Sequence, residues 1–113
     1  MPNTPVKIHN AQLMQSIETL KLDDSFTATT GASTSQTIAT LIGEALPADV
    51  ETVIILNASG STLFVANGTA SATKGSVYTD NGISLSGTKT DLDAIQLFTV
   101  GAESLSVFVY IPR

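Results

Sequence analysis

The residues best suited to chemistry in this sequence are aspartates. Asp91 and Asp93 form a D-x-D pair, with Asp80 nearby in the chain. Paired carboxylates of this kind can hold Ca²⁺ or share a proton in acid–base work. Neither EF-hand spacing nor a supporting Glu accompanies them, and a role at turns and strand edges accounts for them equally well. Nucleophilic chemistry has less to draw on. Serines are plentiful, but the chain has one histidine, His9, and no cysteine. A Ser-His-Asp set would need His9, near the terminus, fixed in a pocket. One histidine and no thiolate also exclude a His- or Cys-based zinc site within one chain. The eight glycines are dispersed, and none falls in a phosphate-cradling G-x-x-x-x-G-K-[ST] or G-x-G-x-x-G pattern. Asn57-Ala58-Ser59 and Asn67-Gly68-Thr69 match the glycosylation sequon and read as turns. No catalytic, cofactor-binding or metal-ligating residue is assigned, no cofactor is expected, and the expectation is a protein that is not an enzyme.

The elements that would position any such residues follow from composition and periodicity. The 113 residues are one domain's worth of chain, enough for a single modest core. Charged residues make up 13% and apolar residues 42%, the reverse of a disordered composition. The net charge is −5, and the five cations (Lys7, Lys21, Lys74, Lys89 and Arg113) are scattered. No basic patch can form, so no nucleic-acid partner is expected. Apolar runs such as Val53–Leu56 are too short to span a membrane, and no membrane partner is expected. The first residues lack a basic start and a long apolar run, so a standard secretory route is not expected. Ser and Thr are roughly a quarter of the chain, interleaved with Val and Ile between Gly- and Asn-containing breaks. That is a strand-rich composition with many turns. With 5% aromatics and no Trp, the core must be mostly aliphatic.

Along the chain, residues 1–25 stand apart. Leu13, Ile17 and Leu20 recur at helical spacing with Met14 adjacent, which fits either a short amphipathic helix or a loosely attached arm. Ser25–Thr30 reads as a strand. Ser33 and Gln36 fit a capping box ahead of an Ile38, Leu41, Ile42, Ala45 stripe, predicting a helix over about 35–46 that Pro47 stops. Thr52–Asn57 is a nearly continuous apolar run, predicting a central strand covered on both faces. Ala58-Ser59-Gly60 then predicts a hairpin turn into a strand over 61–66. Short strands are predicted near Val77–Tyr78 and over 94–100, while 83–85 and 88–92 are ambiguous. The clearest strand is Leu105–Ile111, where Leu105, Val107, Val109 and Ile111 alternate with Ser106, Phe108 and Tyr110. The fold class predicted is mainly β: a small antiparallel β-sandwich or jelly-roll-like barrel with one short α-helix and an N-terminal arm (1–25), the single sandwich domain occupying 26–113.

Phe108 and Tyr110 fall opposite the aliphatic face of that last strand. Two readings fit: a face partly covered by its own domain, or an apolar strip that docks a neighbouring subunit. The same pair of readings applies to Leu13, Met14, Ile17 and Leu20. These six residues are the candidate interface.

The order of features from Val53 to Pro112 resembles the small β-sandwich virion proteins of tailed bacteriophages, head decoration (cement) proteins and related head or tail appendage modules. The features are a strand ending in Asn (Val53-Ile54-Ile55-Leu56-Asn57), a small-residue turn and Leu63-Phe64-Val65. There follow Asn81-Gly82-Ile83-Ser84-Leu85, Asp91-Leu92-Asp93-Ala94-Ile95 and the closing Leu105-Ser106-Val107-Phe108-Val109. The resemblance covers about the last 60 residues. Ser86-Gly87-Thr88-Lys89 departs from the Pro-Gly or Ala-Gly turn frequent there, and the first 50 residues match no such pattern. It implies a non-enzymatic virion structural protein, foremost a capsid decoration protein that binds and stabilises the assembled phage head. The implied partners are the major capsid protein or other virion proteins and further copies of the chain, a trimer favoured, with residues 1–25 as docking arm or subunit-exchange segment. The implied location is the outer surface of the phage head, after synthesis in the host cytoplasm. The alternative is a small carbohydrate- or receptor-binding β-sandwich module of a tail or surface appendage, against which the lack of Trp counts.

Overall fold

Alternation along the last strand sets up the whole sandwich. In β8 (Ser104–Pro112), Leu105, Val107 and Val109 are fully buried, while Ser106, Phe108 and Tyr110 on the opposite face are half-buried. A computed structural model gives the fold over residues 20–57, 62–79 and 82–113, with 76–79 described as backbone. β8 is hydrogen-bonded on both sides: to β1 (Leu20–Thr29), which starts five residues ahead of the predicted strand, and to β3 (Thr52–Leu56). β6 (Gly82–Ser86) pairs with the far side of β3 and completes a four-stranded sheet of order β1-β8-β3-β6.

The second sheet has the order β2-β7-β4-β5, built from β2 (Gln36–Thr37), β7 (Ile95–Phe98), β4 (Thr62–Asn67) and β5 (Ser76–Thr79). All of these strand pairings are antiparallel. The pairs β1·β8, β2·β7, β3·β6 and β4·β5 are those of one long hairpin, with β4–β5 as its tip, rolled up into two sheets. That is the jelly-roll order, and the mainly-β sandwich takes this form. Two positions in the tip depend on glycine. At Gly75, φ is +129° and a Cβ would lie 2.8 Å from the Val65 carbonyl oxygen; Gly68, after β4, has φ +98°.

Several local expectations are corrected by this arrangement. The predicted hairpin between β3 and β4 is absent, because those strands lie in opposite sheets. Alternation marks a strand but does not name its partner, and here the chain crosses between sheets; residues 58–61 themselves lie outside the described residues. β3 is central as predicted, but its two faces are covered unequally: Val53 and Ile55 are fully buried, whereas on the other face Thr52 is buried, Ile54 half-buried and Leu56 40% exposed.

The predicted helix over 35–46 is a single turn, α1 (Ile38–Ile42). Its cap is Thr37, whose Oγ1 accepts from the Thr40 amide, and Gly43 ends it at φ +83°. Ser33 instead donates to the Val100 carbonyl, and Gln36 Oε1 accepts from the Gly31 amide. The ambiguous stretch 88–92 supplies a second one-turn helix, α2 (Lys89–Asp93).

The core is aliphatic. Ile38, Val53, Ile55, Leu63, Leu97, Leu105 and Val107 meet between the sheets, and Leu46, Val50 and Leu92 close the space near the helices. Among the described residues no Phe or Tyr is fully buried, although Phe26 packs partly against the core.

Candidate interface

Both aspartates of the D-x-D pair serve α2. Asp91 Oδ2 accepts from the Thr88 amide at 3.1 Å, and Thr88 Oγ1 accepts from the Asp91 amide at 3.2 Å, a complete capping box. Asp93 Oδ2 accepts from Lys89 Nζ at 2.6 Å, one turn away, in a pair that is more than a third exposed. Asp80 and His9 lie outside the described residues. Among the described residues, no three His, Cys, Asp or Glu side chains gather where a metal could bind. An open cleft of about 440 Å³ lies beside α2, where Glu51, Lys89 and Asp91 are its ionisable residues. Two of these three are already engaged by the cap and the ion pair. The arrangement contains no acid–base pair aimed at a common point.

A buried hydroxyl pair is likewise structural. Thr30 Oγ1 and Thr99 Oγ1 lie 2.6 Å apart. Thr99 donates to the Gly101 carbonyl, and the Glu103 amide donates to Thr30. The hydroxyl hydrogen of Thr30 then falls to Thr99, so each group has a partner. This chain ties the β7–β8 turn to the end of β1.

The outer face of the first sheet is where apolar groups remain to be accounted for. Across the strands, Phe108 lies between Ser25 and Ile54, and Tyr110 lies between Leu22 and Thr52. Ile54, Phe108 and Tyr110 are half-buried, while Leu22 and Leu56 are 49% and 40% exposed. Ser25, Ser84, Ser86 and Ser106 occupy neighbouring register positions on the same face. An apolar patch framed by hydroxyls can lose water over its centre while its rim stays hydrated, the anatomy of many protein–protein contacts.

Of the six candidate interface residues, Phe108 and Tyr110 are therefore brought together on one face. Leu20 is buried opposite Pro112 at the start of β1, and Leu13, Met14 and Ile17 lie outside the described residues. Leu22, Ile54 and Leu56 join the patch without having been singled out from the sequence. A second aromatic pair was also missed. Phe64 of β4 and Phe98 of β7 are half-buried cross-strand neighbours, with ring centroids 6.0 Å apart in an edge-to-face arrangement. Each sits in a stretch that reads as a strand, but the pairing joins strands far apart in sequence.

No family model and no curated protein matches the chain. Among solved structures, it is similar to Tobacco streak virus coat protein in a C2 crystal form, at 10% identity and a TM-score of 0.40, over 80% of this chain and 88% of that one. It is also similar to a structure of the Tobacco streak virus coat protein dimer, at 9% identity and a TM-score of 0.38, over 83% of each chain. Neither is a bacteriophage protein, and both are coat protein in their own right. They stand in place of the expected accessory protein on a separate major capsid protein, and that partnership is not carried forward. Beyond this correction the jelly-roll assignment rests on the strand order itself.

Proposed function

We propose that this chain is a non-enzymatic structural protein of a virion that assembles with further copies of itself through the outer face of its first sheet. The observation that carries the reading is the jelly-roll order with an apolar patch, built around Phe108 and Tyr110, on the outside of one sheet. Fold alone does not give function, and jelly rolls serve as capsid, lectin and cupin domains alike. The site chemistry separates these uses. A chain with one histidine and no tryptophan offers little to a metal-dependent cupin or to an aromatic sugar platform. A patch of aliphatic and aromatic groups ringed by serines suits contact between subunits. Decoration of a phage head is a narrower version of the same structural role, and nothing in the outer face favours it over self-assembly.

The test is the mass of the full chain by light scattering across a concentration series, with electron microscopy of the same samples. The prediction is a multiple of 11.7 kDa, or particles on the grid, and loss of the larger species in the F108S/Y110S double variant. A monomer at every concentration, with empty grids, overturns the reading.

A further inference from the structure

The two edges of the first sheet are finished differently. β1, at one edge, carries Lys21, Asp23 and Asp24, and its register slips between Leu22 and Asp24. Charges and a bulge are the devices that keep an exposed edge from pairing with another chain. β6, at the other edge, reads Gly-Ile-Ser-Leu-Ser, with no charge, no proline and no bulge in its pairing to β3. The edges of the second sheet are shorter: β2 has two residues, and β5 has four and runs directly into Asp80.

The hydrogen-bond phase of β6 follows from one bond. The Gly87 amide donates to the Glu51 carbonyl, so residues 87 and 51 form a hydrogen-bonded pair of the antiparallel ladder. Such pairs alternate along the strands, which makes Leu85–Val53 and Ile83–Ile55 the next ones. The N–H and C=O groups of Gly82, Ser84 and Ser86 then point away from β3, and no described strand pairs with them.

We propose that β6 is a dimerisation edge, along which two copies of the chain pair antiparallel about a two-fold axis with Ser84 opposite Ser84 of the second copy. In this register Gly82 faces Ser86 and Ser86 faces Gly82. Every outward group therefore meets an outward group, and each of the three facing pairs exchanges both of its bonds. No like charges are brought together, although the chain carries a net charge of −5. Leu56 strengthens the contact: its exposed side chain lies across Gly82, where a Cβ would run into it, and so beside Ser86 of the second copy. An edge of about 17 Å is short for a stable interface, so the dimer dissociates on dilution. An isologous contact closes at two copies, and an extended shell needs a second kind of contact. The outer-face patch would supply it, and in that sense this inference rests on the self-assembly reading above.

Because the chain has no cysteine, Ser84→Cys gives an unambiguous readout in the full-length protein. Facing residues of a hydrogen-bonded pair lie roughly 5.5 Å apart at Cα, within disulfide range. Mild oxidation of S84C is expected to give a covalent dimer on a non-reducing gel, and T90C, exposed on α2, none. In light scattering of the uncrosslinked protein, S84P removes an outward amide and S84K sets two ammonium groups face to face. Both are expected to remove the two-fold contact, so that a simple dimer falls to half its mass, with circular dichroism unchanged. An oligomer that survives both substitutions while S84C stays uncrosslinked overturns the edge contact and leaves self-assembly standing. Crosslinked dimers that build nothing larger and are left unchanged by F108S/Y110S keep the edge contact and overturn the outer-face reading. A wild-type monomer at all concentrations overturns both.

Discussion

On its inner face the first sheet presents Val53, Ile55, Leu105, Val107 and Val109; on its outer face the same strands present Ile54, Leu56, Phe108 and Tyr110. The inner set is aliphatic, largely β-branched and sealed from water. The outer set holds two of the few aromatics the chain has, and leaves them half-buried. Covering a large apolar side chain completely gains about 1.5–3 kcal/mol. The core is filled with Val, Ile and Leu, while Phe108 and Tyr110 stay half-buried, so part of that gain is not realised among the described residues. The inner face holds the fold, and on the proposed reading the outer face is the one that meets a second copy.

Substitutions can break this contrast or sharpen it. The largest effect is expected inside: Ile55→Ala, at a fully buried position, should lower stability by about 2–5 kcal/mol in urea unfolding. Next is Thr99→Val, which strips Thr30 of its hydroxyl partner in a buried site. A loss of about 1–3 kcal/mol is expected, with faster amide exchange in the 99–103 turn. Thr88→Ala removes one arm of the α2 capping box and should cost about 1 kcal/mol. The smallest stability change is expected outside. Phe108→Ser loses mainly its cross-strand contact with Ile54, roughly 0.2–1 kcal/mol. Its effect on the solution mass should nevertheless be the largest of the four. A Phe108→Ser protein as destabilised as Ile55→Ala would mean that the outer face also belongs to the core.

How much of this was legible in the residues varies with range. Ser104–Pro112 is readable because side chains alternate with a period of two and its own pattern says which face is inside. Thr37 and Thr88 were both missed as caps. Ser33-Gln36 imitates the capping pattern, and Thr88-Asp91 lies where a strand was equally plausible. Cap identity depends on where the chain turns, and Gly43 cut α1 short of its apolar stripe. The candidate interface was half legible: Phe108 and Tyr110 show in the alternation of their own strand, but Leu22, Ile54 and Leu56 join them only through pairing across sequence separations that no local pattern encodes.

The amino-acid sequence by itself determined that this would be a β protein with an aliphatic core, and that Leu105, Val107 and Val109 would face it. Composition and period-two alternation are local properties that survive in any arrangement of the strands. It also determined that one histidine and no cysteine were available for nucleophilic or metal chemistry, a scarcity that holds wherever the residues end up. Tertiary structure alone decided that β3 and β4 would part into opposite sheets, that β8 would lie between β1 and β3, and that β6 would be left at an edge with its amides facing outward. Those outcomes depend on which strands pair, and pairing is chosen by the joint burial of two sheets, a property of the whole chain that no segment carries alone.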